Sequence, residues 1–140
     1  MDYYQNEEEI RAVVNGFESC MTAKEDFKHS SHLTVAVWYL IHLTHEEALN
    51  KIRDGLFRFL DHHGVGREKY NETLTIFWIK LVERAINSRD GQTSLVDVTN
   101  KVLESLNDPR IVFEYYSEEC LKSETARTSW VQPDLMSDKL

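Results

Sequence analysis

The chain has 140 residues, of which 41% are hydrophobic and 29% are charged. That balance suits one globular domain with its own core and excludes a disordered chain. Its 24 acidic and 16 basic residues give a net charge of −8, which would repel nucleic-acid phosphates and anionic membranes, so we expect neither as a partner.

The sequence shows no targeting or membrane signal. The first ten residues, MDYYQNEEEI, are acidic, and the longest apolar run, residues 33–43, is too short to span a bilayer. Cys20 and Cys120 belong to no CxxC pair and are expected to be free thiols in a reducing compartment. We therefore predict a cytoplasmic protein.

Apolar residues recur at helical spacing through the first half of the chain. Helices are predicted over residues 6–21 and 30–43. A third helix should follow Thr44, which forms a capping box with Glu47, and should stop at Gly64. Residues 70–87 are apolar almost all round, which is typical of a central helix.

The second half of the chain is also predicted to be helical. A loop over residues 87–94 should end at Ser94, the N-cap of a fifth helix. A short helix or turn is expected near residues 111–116, then a helix from Ser117 to about Arg127 and an extended tail. The prediction is an all-α single domain, residues 1–140, forming a bundle of five to seven helices with frayed ends at 1–5 and 136–140.

Two histidines at the head of the second helix are the main candidate functional residues. His29 lies four residues before Leu33 and His32 lies four before Ala36, so both rings should lean toward the core. Glu72, in the first turn of the central helix, could face them. Two imidazoles and one carboxylate can hold a divalent transition metal such as iron, zinc or manganese.

A structural interpretation competes with this one. His29 could be a capping or exposed residue, and Glu72 could simply complement the helix dipole. Buried tyrosine and tryptophan side chains also need hydrogen-bond partners, so the same residues could form a structural polar network. The other histidines, His42, His45, His62 and His63, are expected to be structural. Motifs of P-loop enzymes, nucleophile-elbow hydrolases and HExxH peptidases are absent from the sequence.

Three motifs resemble those of a family of small all-α proteins from bacteria and some fungi to which no activity is attached. The family patterns are HxxHLxxAxxYL, Y(H)ETxT and ARxx[WF]VxPDL. In this chain they fall on His29, His32, Leu33, Ala36, Tyr39 and Leu40, then Tyr70, Glu72, Thr73 and Thr75, then Ala126, Arg127, Trp130, Val131, Pro133, Asp134 and Leu135. Asn71 departs from the pattern, because the family tends to have histidine there.

The resemblance favours a site made from these polar residues. We expect His29, His32 and Glu72 to bind a metal or a small polar ligand, with Tyr39, Thr75 and Arg127 completing the ligand site. If the family's histidine is a ligand, Asn71 would weaken a metal site here or convert it to a site for an uncharged ligand. Arg127 should either pair with Asp134 to dock the C-terminal tail or close one end of the pocket, and docking is favoured.

Two functions follow. The first is a ligand-binding helical protein, which as an enzyme would use a histidine as base or ligand. The second is a non-catalytic protein-interaction module in which these residues form a buried network. A homodimer is compatible with either.

Overall fold

The computed structural model describes residues 3–88 and 94–136, and within them the chain is helical with no strand. Most of the predicted loop 87–94 lies outside these residues. The α-helices are α1 (Glu7–Glu18), α2 (His29–His42), α3 (His45–His62), α4 (Glu72–Asn87), α5 (Leu95–Leu106), α6 (Glu118–Lys122) and α7 (Glu124–Thr128). Short 3-10 turns cover Lys24–Asp26, Arg67–Lys69 and Pro109–Glu114. The predicted all-α single helical domain is confirmed.

The predicted helix boundaries hold where a local cap fixes them. Thr44 and Glu47 form the expected capping box at the start of α3. Ser94 caps α5 and Ser117 caps α6, each accepting a backbone N–H three residues on. Gly64 has φ +70° just after α3, a left-handed conformation that glycine adopts without steric cost. Each of these helix ends is therefore set by one or two residues that are close in sequence.

The last predicted helix is broken at Ser123. Its extended backbone, with ψ 149°, ends α6, and its hydroxyl accepts the N–H of Ala126 at 3.1 Å, which starts α7. Serine competes with the helix by bonding to nearby backbone groups. Two short helices, α6 and α7, replace the single helix predicted from Ser117 to about Arg127.

The N-terminal segment expected to fray is partly held in place. The N–H groups of Tyr3 and Tyr4 donate to the amide oxygen of Asn100 at 3.1 and 2.9 Å, and the Asn100 amide donates back to the Tyr4 carbonyl at 2.9 Å. Residues 1–2 and 137–140 lie outside the described residues. The segment before α1 is thereby joined to α5.

The core is organised around α2 and α4. Helix α2 packs against α1, α3, α4 and α5, and α4 packs against α2, α3, α5 and α7. A smaller cluster of Phe77, Leu81, Val112, Tyr116 and Leu121 joins the C-terminal elements to α4. Both cysteines are free. No helix in the described part of the chain is both long and apolar enough to cross a membrane.

The C-terminal tail docks, but without the expected pair between Arg127 and Asp134. A carboxylate oxygen of Asp134 accepts the backbone N–H of Ser117 at 2.8 Å, at the start of α6. Arg127 instead donates to the backbone carbonyl of Glu68 at 3.0 Å. The prediction of an Arg127–Asp134 pair is therefore wrong, because each side chain meets a backbone group nearer to it.

Buried hydroxyl groups hold the rest of the tail. The Thr73 hydroxyl, fully buried in α4, donates to the Ser129 carbonyl at 2.9 Å and accepts the Val131 N–H at 3.2 Å. The Tyr116 hydroxyl donates to the Val131 carbonyl at 2.6 Å. The tail thus forms hydrogen bonds with buried hydroxyl groups of α4 and of the smaller core cluster.

Candidate functional site

A cavity of about 420 Å³, here called the central cavity, lies between α2, α3 and α4. Each helix lines it with one stripe of side chains at three- and four-residue steps, as residues on one helix face must be spaced. Its wall is formed by Lys24, Phe27, His29, His32, Leu33, Ala36, Ile52, Leu56, Phe59, Leu60, Lys69, Tyr70, Asn71, Leu74, Thr75, Trp78 and Ile79. A largely apolar wall with a few polar groups is typical of small-molecule sites.

His29 is held in one orientation at the start of α2. Its Nε2 lies 3.1 Å from the Leu106 carbonyl at the end of α5, so the neutral ring donates from Nε2 and keeps Nδ1 as an acceptor. The ring meets Trp78 edge-on, with centroids 4.4 Å apart. Burial lowers the pKa of His29, although the Leu106 carbonyl and the charge of Asp108 oppose the shift. This histidine is therefore neutral near pH 7.

His32 differs because no hydrogen bond joins its ring to the rest of the described chain. The ring contacts Phe27, with centroids 4.5 Å apart. Protein atoms surround His32 densely, yet much of its surface is accessible, because it borders the central cavity. Burial, and secondarily the neighbouring His29, lower its pKa to about 4. A neutral imidazole with an open donor and an open acceptor thus faces the cavity.

The polar residues on α4 that line the cavity are already bonded within the protein. The Thr75 hydroxyl donates to the Asn71 carbonyl at 3.1 Å. The Asn71 side chain accepts the Leu74 N–H at 3.0 Å and donates to the Leu121 carbonyl at 2.9 Å. Asn71 therefore serves as the N-cap of α4 and as a tie to α6, which leaves its amide little capacity for a ligand.

Glu72 does not line the central cavity. Arg53 donates from Nε to one carboxylate oxygen at 3.0 Å and from Nη2 to the other, and the Tyr70 hydroxyl donates to Glu72 at 2.6 Å. Burial alone would raise the pKa of Glu72, but the bonds from Arg53 and Tyr70 outweigh it and lower the pKa. The carboxylate is thus an ionised member of a structural network.

This network borders a second, outer cavity of about 390 Å³, which Arg127 also lines. Tyr70 lines both cavities. Burial, and secondarily the bond to Glu72, raise the pKa of Tyr70 to about 12. Glu72 and Arg127 therefore belong to a different surface from His29 and His32.

Tyr39 lines neither of these two cavities. Its ring is buried and its hydroxyl donates to Glu18, at the end of α1, at 2.5 Å. Burial, followed by the bond to Glu18, raises its pKa well above the usual tyrosine range. Of the six predicted ligand-binding residues, only His29, His32 and Thr75 therefore share the central cavity.

The expected metal site is not assembled. Glu72 begins α4 next to the cavity-lining Asn71, but its carboxylate is held by Arg53 and Tyr70 at the outer cavity and does not face the histidines. Across residues 3–88 and 94–136, no group of three or more histidine, cysteine, aspartate or glutamate residues is placed to hold a metal ion. The side chains present do not fit a two-histidine, one-carboxylate centre.

Four histidines lie outside the lining of the central cavity: His42, His45, His62 and His63. His42 bonds to the Trp38 carbonyl at 2.7 Å, and His45 pairs with Glu83 at 3.1 Å. The ring of His63 packs on Phe59, and its Nε2 is buried without a hydrogen-bond partner among the described residues.

Several residues of the two cavities were missed by sequence reasoning. Lys24 and Lys69 lie on the 3-10 turns and line the central cavity, and Arg53 holds Glu72 from α3. Nothing in the spacing of the two lysines along the sequence marks them as cavity residues. The α3 residues that line the central cavity are apolar: Ile52, Leu56, Phe59 and Leu60.

Comparisons with models of protein families, with curated proteins and with solved structures gave no match. The resemblance to the small all-α family therefore stays a prediction.

Proposed function

We propose that this protein binds a small, largely apolar molecule in the central cavity, with His32 making the main polar contact. The observation that carries the proposal is the His32 ring, which borders an apolar cavity without a hydrogen bond to the described chain. Because much of the His32 surface is accessible, a ligand can reach its ring nitrogens. A ligand with one hydrogen-bonding group near an apolar body would bond to His32 while the body enters the cavity.

The size and composition of the cavity support the same proposal. Its volume of about 420 Å³ falls in the range of roughly 300–1,000 Å³ typical of small-molecule sites. Three packed helices supply the wall, so the site is formed before a ligand arrives. His29 adds a hydrogen-bond acceptor at Nδ1, and the bond from its Nε2 to the Leu106 carbonyl fixes the orientation of the ring.

The alternative is a protein-interaction module whose polar residues are purely structural. The bonding of Glu72 by Arg53 and Tyr70 agrees with that alternative, whereas the open imidazole of His32 does not. A catalytic version of the main proposal would use His32 as a proton acceptor, because its ring is neutral near pH 7.

The test is a titration with N-phenylnaphthylamine, a neutral dye whose fluorescence rises in apolar surroundings. We expect saturable one-to-one binding to the unmodified protein. Ala36→Leu, which fills part of the cavity, should weaken binding by about tenfold or more. Ala12→Leu adds the same atoms at an exposed position of α1 and should leave binding unchanged.

Either of two results would overturn the proposal: no saturable dye binding, or equal binding by the Ala36 variant. The melting temperature of each variant is measured alongside, because a loss of dye binding counts only if the variant is folded.

A further inference from the structure

We infer that the ligand of the central cavity is an aromatic monocarboxylic acid; this inference rests on the proposed function. The first observation is the distribution of charge. The chain has a net charge of −8, yet the cavity wall contains Lys24 and Lys69 and no aspartate or glutamate. A basic cavity in an acidic protein would concentrate anions against the overall field.

The two lysines are available for a ligand. Lys24 and Lys69 are exposed and stand on the two 3-10 turns beside the cavity, so their ammonium groups belong to its rim. Neither forms an ion pair with any described residue, whereas the exposed Lys122 pairs with Glu118 at 2.9 Å. A carboxylate at the rim would gain two cationic partners while the rest of the molecule entered the cavity.

The helix ends add to this preference for an anion. His29 is the first residue of α2 and Asn71 is the N-cap of α4, and both line the cavity. Helix N-termini carry partial positive charge, so both long helices direct a favourable field toward the same space. The field supplements the lysine charges and does not depend on a protonated histidine.

The body of the ligand is indicated by the rings in the wall. Phe27, Phe59 and Trp78 line the cavity, together with both imidazoles and Tyr70. Flat side chains of this kind pack favourably edge-on or offset against a planar aromatic group. Arginine, whose fork matches phosphate oxygens, is absent from the wall. The lining therefore suits a single carboxylate on an aromatic ring better than a phosphate ester.

The experiment is displacement of N-phenylnaphthylamine from the full chain by four competitors. Cinnamate tests the proposed class, cinnamamide is its neutral counterpart, decanoate replaces the ring by a chain, and phenyl phosphate replaces the carboxylate. We expect cinnamate to displace the dye at about tenfold lower concentration than cinnamamide, the size expected of two solvent-exposed ion pairs. Decanoate and phenyl phosphate should both be weaker than cinnamate.

A matched pair of variants assigns the charge effect. In Lys24→Met/Lys69→Met the advantage of cinnamate over cinnamamide should fall to about twofold or less while dye binding persists. Lys101→Met/Lys122→Met makes the same change of charge on α5 and α6, away from the cavity, and should keep the advantage.

The inference of a carboxylate would be overturned by equal displacement by cinnamate and cinnamamide. It would also be overturned if both double variants lost the advantage of cinnamate over cinnamamide to the same extent. Displacement stronger by decanoate than by cinnamate would contradict the inference that the ligand has an aromatic ring. Displacement stronger by phenyl phosphate than by cinnamate would contradict the inference that its acidic group is a carboxylate. Each of these results leaves the proposed function intact, whereas absence of dye binding refutes the proposed function itself.

Discussion

Removal of the Glu72 carboxylate should destabilise the fold, because Glu72 joins three elements through Arg53 and Tyr70. The side chains of Arg53 and Glu72 are 29% and 13% exposed, so this ion pair is intermediate between a surface pair and a buried pair. A surface pair contributes about 0–1 kcal/mol to stability, and breaking a buried pair costs about 3–5 kcal/mol. We therefore expect a coupling energy of about 2 kcal/mol between Arg53 and Glu72.

The full effect of Glu72→Ala should be larger than the coupling energy. The Tyr70 hydroxyl loses its acceptor as well, at a cost of about 1 kcal/mol. The sum of about 3 kcal/mol should lower the melting temperature by about 10 °C in a domain of this size. If Glu72 were instead a metal ligand or an exposed residue at a helix start, its removal would not lower the melting temperature in this way.

The assay is urea unfolding of a double-mutant cycle with Arg53→Ala, Glu72→Ala and the double variant. The cycle of Glu118 and Lys122, whose side chains are 67% and 74% exposed, is the control and should give at most about 0.5 kcal/mol. The reasoning is refuted if the two cycles give the same coupling energy.

The same pair predicts a dependence on pH. The pKa of Glu72 is lowered from 4.5 on folding, so its contribution is complete above about pH 5 and is lost as the pH falls through the folded-state pKa. The stability gap between the unmodified protein and Glu72→Gln should therefore be constant near neutrality and shrink in acid. A gap that widens as the pH falls would contradict the assignment.

Three further predictions concern single side chains. His32 should titrate near pH 4 when followed by NMR. The protein should also lose stability as the pH falls from about 6.5 toward 4, because the imidazole of the unfolded chain binds a proton at a higher pH than that of the folded chain. An NMR titration midpoint near pH 6.5 would contradict the lowering of the His32 pKa by burial. Gly55→Ala should cost about 1–3 kcal/mol in urea unfolding, because its Cβ would lie 2.5 Å from the Phe17 ring; an unchanged midpoint would show that the ring yields freely. Tyr116→Phe should cost about 1–2 kcal/mol and speed proteolysis of the tail, because the Val131 carbonyl loses its donor; equal cleavage rates would show that this bond does not hold the tail.

Most of the fold was predictable because its signals are local. Apolar spacing identified the five long helices. Thr44 and Ser94 marked the starts of two of them, and Ser117 marked the start of α6, through bonds that span three residues. Ser123 shows the limit of such signals. A serine inside a helical pattern can continue a helix or cap a new one, and the packing of α7 against α4, distant in sequence, decides between them.

The candidate site was half predictable for a related reason. The spacing of His29 and His32 from the apolar stripe of α2 correctly indicated a shared inward face. The choice of Glu72 as their partner was wrong, because its carboxylate is held by Arg53 and Tyr70. Capture of Glu72 by Arg53 depends on how α3 and α4 pack, which no local pattern encodes.

Tyr70 separates the two cavities, and its ring, packed on Phe57 at 4.5 Å, belongs to the wall of each. The two linings therefore meet at one aromatic side chain. We expect that truncation of Tyr70 to alanine would join the two cavities. One substitution would then turn two separate sites into a single larger one.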